Sequence, residues 1–307
     1  MRTPMSDGTT RGRHLIVVVS VIVLLMLGAE IATRRVLMPA SKIEHRVASE
    51  LQRAAGYSGD RSLLFVGNSL LLYAIRDSVT PRLVPDSWRA SRVTVEQTHF
   101  LDWRYGLKQF ARRGVRPAVI ALMLDAGQLT GDGTRSDYSA LKLLAAQDVI
   151  PFGRDAGLHP TEISKLLLSH FSAFYGFRAE LRKVLLSRIL PGTQELTALL
   201  VPRRAGVSDS LRTRRVAASR IRELSELVKR SGGRLIFLVP PRLGSSADDR
   251  AVVAAAADAR VDVIASDDTR PYDATEFMDG YHLNLAGAAR YEKHVGGALA
   301  KILAEVK

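Results

Sequence analysis

The sequence predicts an α/β protein with three layers, in which helices cover both faces of a parallel sheet, and with one N-terminal transmembrane helix. Three observations lead to this fold class. Short apolar runs, typical of strands that are buried on both faces, recur along the chain. Stretches with helical spacing separate these runs, and such alternation indicates a parallel sheet. A longer apolar run precedes all of them near the N-terminus.

The N-terminal apolar run is the candidate membrane span. Residues 15–29 read LIVVVSVIVLLMLGA, and with flanking residues the run reaches the length of about 20 residues that a spanning helix needs. We predict a cytoplasmic tail over 1–14, an uncleaved signal anchor over 15–33 and export of the remainder. The protein is thus expected in the inner membrane with a single span. A cleaved signal peptide is the alternative, although Leu27 disfavours the best cleavage site.

The remaining elements follow in chain order. Residues 34–58 have apolar positions at helical spacing and predict an amphipathic stalk, followed by one domain over 59–307. The predicted strands are residues 62–66, 93–95, 117–124, 234–239 and 261–264. The predicted helices between and after them are residues 103–113, 208–230 with Ser208 as N-cap, 246–260 and 284–306.

An interval of about 130–207 interrupts the alternation of strands and helices. It is too long for a simple crossover, so we predict a helical insertion there. Its segment 160–190 has a helical pattern and contains an aromatic cluster. We expect these aromatic side chains to pack in a core or a lid rather than against substrate: Phe171, Phe174, Tyr175 and Phe177.

Composition narrows the classes of function. The net charge is +13, from 44 basic and 31 acidic residues, which suits an anionic membrane surface or an acidic polymer. No nucleic-acid-binding motif is present, so no nucleic-acid partner is predicted. The chain has no cysteine, which excludes disulfides, thiolate metal sites and cysteine nucleophiles. No metal-binding or nucleotide-binding motif occurs either, and we predict no metal and no cofactor.

Two short segments carry the residues of a nucleophilic site. Ser69 follows the first strand, where a serine at a helix start lies near backbone amides that stabilise an oxyanion. Asp279 and His282 are three residues apart near the C-terminus, and a carboxylate can orient a histidine that serves as the base for a serine. The alternatives are a helix-capping serine, a helix-capping aspartate and a surface histidine.

The two segments together resemble a known family. LLFVGNSLL resembles the first conserved block of the SGNH/GDSL hydrolases, and FMDGYHLNLAGAARY resembles their last block. The resemblance covers about residues 60–305 apart from the insertion, and it implies a flavodoxin-like domain. It also implies a catalytic triad of Ser69, His282 and Asp279 that acts on acyl esters.

The middle blocks of the family are matched poorly. The second block provides a glycine for the oxyanion hole, whereas residues 96–99 read EQTH. The third block provides an asparagine, whereas this chain has Asp125, and an ionised carboxylate cannot donate a hydrogen bond. The candidates for oxyanion or substrate binding are therefore Asn68, Thr98, Asp125, Gln128 and Asn284. His99 and Asp102 form a second acid–histidine pair, which we interpret as loop polarity or a substrate contact.

An anchored domain of this kind resembles the cell-envelope members of the superfamily. These include O-acetyltransferases of bacterial exopolysaccharides and the membrane-anchored factor of teichoic-acid D-alanylation. The resemblance implies a serine-dependent acyl-ester hydrolase or O-acyltransferase that acts on an envelope glycan or exopolysaccharide. Its partners would be the membrane, an acylated polymer and other polysaccharide-synthesis proteins. The alternative is a non-catalytic scaffold or binding component of an envelope polysaccharide assembly, which the unmatched middle blocks favour.

Overall fold

The computed structural model describes residues 8–182, 210–243, 247–266 and 270–306. Parts of several predictions lie outside these residues: the first half of the cytoplasmic tail, the N-cap at Ser208, the insertion beyond residue 182 and the first residue of the helix predicted over 246–260.

The centre of the protein is a five-stranded parallel sheet. Its strands are β1 (Ser58–Gly67), β2 (Arg89–Thr94), β3 (Arg116–Met123), β4 (Arg234–Leu238) and β5 (Asp262–Ile264). The strand order is β2-β1-β3-β4-β5, which is the doubly wound order of flavodoxin-like folds. The predicted fold class and all five predicted strands are confirmed.

Helices surround the sheet and form the insertion. The described helices are α1 (Gly8–Ala32), α2 (Lys42–Ala55), α3 (Ser69–Ala74), α4 (Phe100–Arg112), α5 (Ala126–Thr130), α6 (Ser136–Lys142), α7 (Val149–Asp155), α8 (Pro160–Phe171), α9 (Ala173–Gly176), α10 (Ser210–Arg230), α11 (Ala247–Asp258) and α12 (Leu285–Ala304). A π-helical turn (Thr33–Leu37) and a short helical segment (Met38–Ala40) continue α1 toward α2.

The two faces of the sheet have separate apolar cores. Alternate residues of β1 point to opposite faces, so Leu64 and Val66 join one core while Leu63 and Phe65 join the other. Helices α2, α4, α10 and α11 cover the first face, and α3 and α12 cover the second. Because β1 and β3 are covered on both sides, their sequences are continuous apolar runs, which is why they were predictable.

The segment predicted as a stalk packs against the edge of the sheet. Glu50 of α2 is buried, and its carboxylate accepts hydrogen bonds from Arg92 Nε at 3.2 Å and from the Thr94 backbone amide at 2.7 Å. Arg46, near the start of α2, pairs with Glu96 just beyond β2. Beyond the other end of α2, the Tyr57 hydroxyl donates to a carbonyl near the start of β2. Helix α2 therefore runs antiparallel to β2.

The aromatic cluster of the insertion divides into two groups. Phe177 is buried in the core, whereas Phe171 and Phe174 are 67% and 47% exposed. Phe177 thus packs in a core, one of the two predicted roles, whereas Phe171 and Phe174 lie outside the core. Helix α8 ends at Phe171 and α9 begins at Ala173, because Ser172 has an extended backbone and its hydroxyl caps the new helix.

Helix α1 is apolar and exposed. Among the residues that the structure describes, one helical stretch, Arg13–Ala40, is long and apolar enough to cross a membrane. It comprises most of α1 together with the π-helical turn and the short segment that follow it. Its valine, leucine and isoleucine side chains make no core, in contrast to those of every strand. This is the arrangement that the predicted single span requires.

Candidate active site

A tight turn after β1 places Ser69 at the carboxyl edge of the sheet. A Cβ atom at Gly67 would lie 2.9 Å from Leu71 Cβ and from the Met123 carbonyl oxygen, so only glycine allows α3 to pack this closely on β1 and β3. Asn68 is the N-cap of α3, and its side-chain oxygen accepts from the Leu70 amide at 3.0 Å. Ser69 is therefore the first helical residue.

The loop before α12 places Asp279 and His282 beside that turn. The Asp279 Oδ1 atom accepts hydrogen bonds from the backbone amides of Tyr281 at 3.0 Å and His282 at 2.7 Å. Gly280 has a φ of 77°, a conformation that glycine adopts without strain. The Met278 amide closes the loop by donating to the His282 carbonyl at 2.8 Å. This local network fixes both functional side chains relative to the start of α12.

Three side chains form a continuous hydrogen-bonded chain. His282 Nε2 lies 3.0 Å from Ser69 Oγ, and His282 Nδ1 lies 2.7 Å from Asp279 Oδ2. Ser69 and His282 are 213 positions apart in the sequence. The structure thus brings together the serine, the histidine and the aspartate that the two sequence segments singled out, in the order that a base-activated nucleophile requires.

The Asp279 carboxyl is ionised at neutral pH. Partial burial acts to raise its pKa, but the hydrogen bonds from the His282 backbone and ring and from the Tyr281 amide outweigh burial and hold the pKa below its usual value. A negative charge on this side chain holds the proton of the histidine on Nδ1. The other ring nitrogen is then free to accept a proton from Ser69.

Asn68, Thr98 and Asn284 have their polar side-chain atoms committed to structure. The Asn68 side-chain amide donates to the Thr98 carbonyl at 3.0 Å. The Thr98 hydroxyl donates to the Val95 carbonyl at 2.7 Å and accepts from Trp103 Nε1 at 2.9 Å. Asn284 caps α12. These contacts join the loop after β2 to the turn that bears Ser69, so the three candidates position the site.

Asp125 and Gln128 cap α5 and hold Tyr281. The Asp125 Oδ1 atom accepts from the Gln128 amide at 2.7 Å, and Gln128 Oε1 accepts from the Asp125 amide at 3.0 Å. The Tyr281 hydroxyl donates to Asp125 Oδ2 at 2.5 Å. Burial and the Asp125 charge raise the pKa of Tyr281, so the phenol keeps its proton. Arg242 completes this group with an Nη2 to Asp125 Oδ2 distance of 3.1 Å.

Sequence reasoning missed three side chains at this edge. The rings of Tyr73 and Tyr281 lie 4.8 Å and 5.0 Å from the His282 ring, and both residues are more than a third exposed. Tyr73 is four residues after Ser69, which on a helix is the same face, and this spacing was a usable signal. Arg242 follows the two prolines after β4. Because ligands of open α/β sheets bind beyond the carboxyl ends of the strands, this position alone indicated a site residue.

The loop after β2 has a strained residue. Gln97 has a φ of 61°, the left-handed conformation that glycine adopts most easily. For a residue with a Cβ this costs roughly 1–2 kcal/mol. The expected glycine is absent from the sequence, yet the backbone at Gln97 has a conformation that glycine favours.

Within the second acid–histidine pair, Asp102 has a structural role. Buried Asp102 accepts hydrogen bonds from the His99 amide at 2.8 Å and from the Ser139 hydroxyl at 2.6 Å. Burial raises its pKa, although these hydrogen bonds act in the opposite direction. Asp102 therefore caps the start of α4 and holds the insertion to this helix. Within the described ranges, no group of three or more metal-ligating side chains is arranged to bind an ion.

Comparison with known proteins shows a distant structural likeness. No protein-family model matches the sequence, and no curated protein sequence matches it. LAE5, an α/β hydrolase enzyme from the metagenome of Lake Arreo in Spain, is similar over 80% of this chain and 99% of its own, with 11% identity and a TM-score of 0.37. TesA is similar over 78% of this chain and 99% of its own, with 12% identity and a TM-score of 0.38. At these values neither likeness bears on activity.

Proposed function

We propose that this protein is a membrane-anchored serine hydrolase or O-acyltransferase of the SGNH type that acts on acyl esters of a cell-envelope glycan. The observation that carries the proposal is the chain of hydrogen bonds from Ser69 through His282 to Asp279, with distances of 3.0 Å and 2.7 Å. Each atom of this chain has the partner that its role in nucleophilic catalysis needs.

The proposed reaction begins with attack of Ser69 Oγ on the ester carbonyl carbon. His282 Nε2 accepts the serine proton, and the Asp279 carboxylate stabilises the resulting imidazolium. The Ser69 backbone amide is at the first position of α3, where the helix itself provides no acceptor, and it serves as the donor for the oxyanion. The imidazolium then protonates the departing alkoxide. Water or a sugar hydroxyl next attacks the acyl-enzyme and loses its proton to His282. The bond between the acyl carbon and Ser69 Oγ then breaks, and His282 returns the proton to Ser69 Oγ.

A glycan substrate is supported by the surroundings of His282. Tyr73 and Tyr281 present partly exposed rings 4.8 Å and 5.0 Å from the ring of His282, and exposed aromatic rings offer apolar faces to the C–H surfaces of sugars. Met278 and Leu285 near the same loop are also exposed. This open surface suits a polymer, and the net charge of +13 suits an anionic one.

A fluorophosphonate probe is expected to label the full-length protein at Ser69. An activated serine attacks phosphorus, whereas an ordinary surface serine does not. Mass spectrometry of the digested adduct locates the label. Ser69→Ala is expected to abolish labelling, while Ser164→Ala, which changes an exposed serine on α8, is expected to leave it unchanged. A folded wild-type protein that takes no label supports the non-catalytic scaffold instead.

Tyr73→Ala is expected to impair turnover of an acetylated polysaccharide more than turnover of a small acetyl ester. One ring stack contributes about 0.5–1.5 kcal/mol, which corresponds to a loss of up to about tenfold in kcat/KM for the polymer. The rate of acetate release measures turnover of both substrates in the same assay. Tyr73→Phe keeps the ring and is expected to behave as the wild type. An equal loss on both substrates would remove the support that Tyr73 gives to a glycan substrate.

A further inference from the structure

The end of the anchor helix is tied to the helical insertion. Glu30, in the last turn of α1, accepts hydrogen bonds from the backbone amides of Ala173 and Phe174 at 2.8 Å and 3.0 Å. These amides begin α9, where a carboxylate is favoured by the unpaired N–H groups. Arg34 pairs with Glu30 at 2.6 Å and donates to the Phe171 carbonyl at 3.3 Å. The break between α8 and α9 is therefore held beside the end of α1.

That break presents an apolar strip to the outside, made of Leu168, Phe171 and Phe174. The three residues are spaced by three positions and are 43%, 67% and 47% exposed. Full burial of one such side chain is worth about 1.5–3 kcal/mol, so their exposure together indicates a contact surface. Leu27 and Ile31 of α1 are exposed at the same end of the helix, so the strip lies next to the apolar surface of the anchor.

The position of Glu30 along α1 determines how deep the apolar strip would lie in a bilayer that α1 spans. Counted from Leu15, Glu30 lies about 22 Å along the helix at 1.5 Å per residue, near the far side of a hydrocarbon core of about 30 Å. Aromatic side chains concentrate at this membrane–water boundary. Exposed Arg34 and Arg35 lie four and five residues after Glu30, and arginines at such a depth can reach anionic lipid headgroups.

The direction of α2 relates this boundary to the active site. Since α2 runs antiparallel to β2, its first turn lies at the carboxyl edge of the sheet, where Arg46 pairs with Glu96. The anchor joins α2 at that turn through the helical residues 33–40. Ser69 also lies at the carboxyl edge, two residues beyond the end of β1. The anchor thus leaves the domain on the side that carries the nucleophile.

We propose that the apolar strip binds the outer interface of the lipid bilayer and, together with α1, holds the carboxyl edge of the sheet toward the membrane. The ester that reaches Ser69 is then one displayed at the membrane surface. This inference rests on the membrane anchoring within the proposed function and is independent of catalysis by Ser69.

Site-specific labelling in liposomes tests the proposal. The chain has no cysteine, so Phe171→Cys and Phe174→Cys each give one labelling site for an environment-sensitive fluorophore. The full-length protein is reconstituted in phosphatidylethanolamine and phosphatidylglycerol with a nitroxide on the acyl chain. Labels at 171 and 174 are expected to shift to the blue and to be quenched several-fold more than a label at Arg230→Cys. Arg230 is exposed at the end of α10, beside the opposite edge of the sheet.

Each other outcome overturns the proposal in a recognisable way. A blue shift without quenching by the lipid nitroxide means that protein covers the strip, either a second copy or another chain. Emission at 171 and 174 equal to that at 230 means that the strip faces water. Leu24→Cys within α1 serves as the reference for insertion into the bilayer. Lack of quenching of a label at this position would show that α1 does not insert and would reject the proposed anchor. Hydrolysis of a soluble ester by the same variants reports separately on the catalytic proposal.

Discussion

Ser69→Ala is expected to lower kcat/KM for a small chromogenic acetyl ester by at least about 10³-fold, because no other group can form the acyl-enzyme. Ser69 contributes one hydrogen bond to the partly exposed His282, so the melting temperature should change little. The control Ser164→Ala is expected to retain the full rate. The measurement is initial-rate kinetics on full-length protein in detergent or nanodiscs.

The rate losses caused by removing Ser69 and His282 are expected to be non-additive. Residues that act as one unit lose nearly the whole rate enhancement when either is removed. The rate of Ser69→Ala/His282→Ala is therefore expected to be close to that of each single variant. Independent, multiplicative losses would show that the two side chains do not act on the same step. A Ser69→Ala rate within tenfold of the wild type would reject Ser69 as the nucleophile.

Glu50→Ala is expected to destabilise the domain by about 3–5 kcal/mol, because it leaves the Arg92 guanidinium buried without its carboxylate. The side chains of Glu50 and Arg92 are 1% and 5% exposed. Burial lowers the pKa of Arg92, although the Glu50 and Asp77 charges act in the opposite direction. The Thr94 amide also loses its acceptor. At roughly 2–4 °C per kcal/mol, the melting temperature should fall by about 10 °C.

A surface ion pair provides the matched control for Glu50. Arg214 and Asp258 form a salt bridge at 2.7 Å in which both side chains are at least 40% exposed. Asp258→Ala is expected to cost no more than about 1 kcal/mol. Glu50→Leu combined with Arg92→Leu should recover part of the loss, because no buried charge then remains. Similar effects of Glu50→Ala and Asp258→Ala would show that the buried pair contributes no more than a solvated one.

The strands differ in how well the sequence could predict them. Most of β3 and β4 is uninterrupted apolar sequence, which a strand covered on both faces requires. The first residues of β1 are exposed and polar, so the extension back to Ser58 has no apolar signal. Strand β2 carries Arg92 in its middle, where its charge is compensated chiefly by Glu50, 42 positions earlier. Such a long-range partner has no local signature.

The sequence predicted those parts of the candidate site whose residue types and spacing are characteristic of a nucleophile and its base. Ser69, Asp279 and His282 stand in short segments whose spacing suits a nucleophile and its base. Asn68 and Asn284 were expected near an oxyanion or substrate, yet both cap helices. An asparagine just before a helix can either cap the helix or bind an oxyanion or substrate. The sequence does not show to which acceptor its side-chain amide donates. The cap on α9 from Glu30 joins segments 143 positions apart and was not foreseeable from local pattern.

The burial of Glu50 against Arg92 decides where proteolysis can separate the domain from α1 without uncovering the sheet. A protease that cuts between residues 37 and 41 leaves α2 in place, so a shed form keeps its sheet edge covered. A cut after Glu50 removes the only carboxylate within 3.5 Å of the Arg92 guanidinium among the described residues and uncovers β2 to water. Soluble forms of this protein are therefore expected to begin before Lys42, and shorter ones should aggregate through the bared strand.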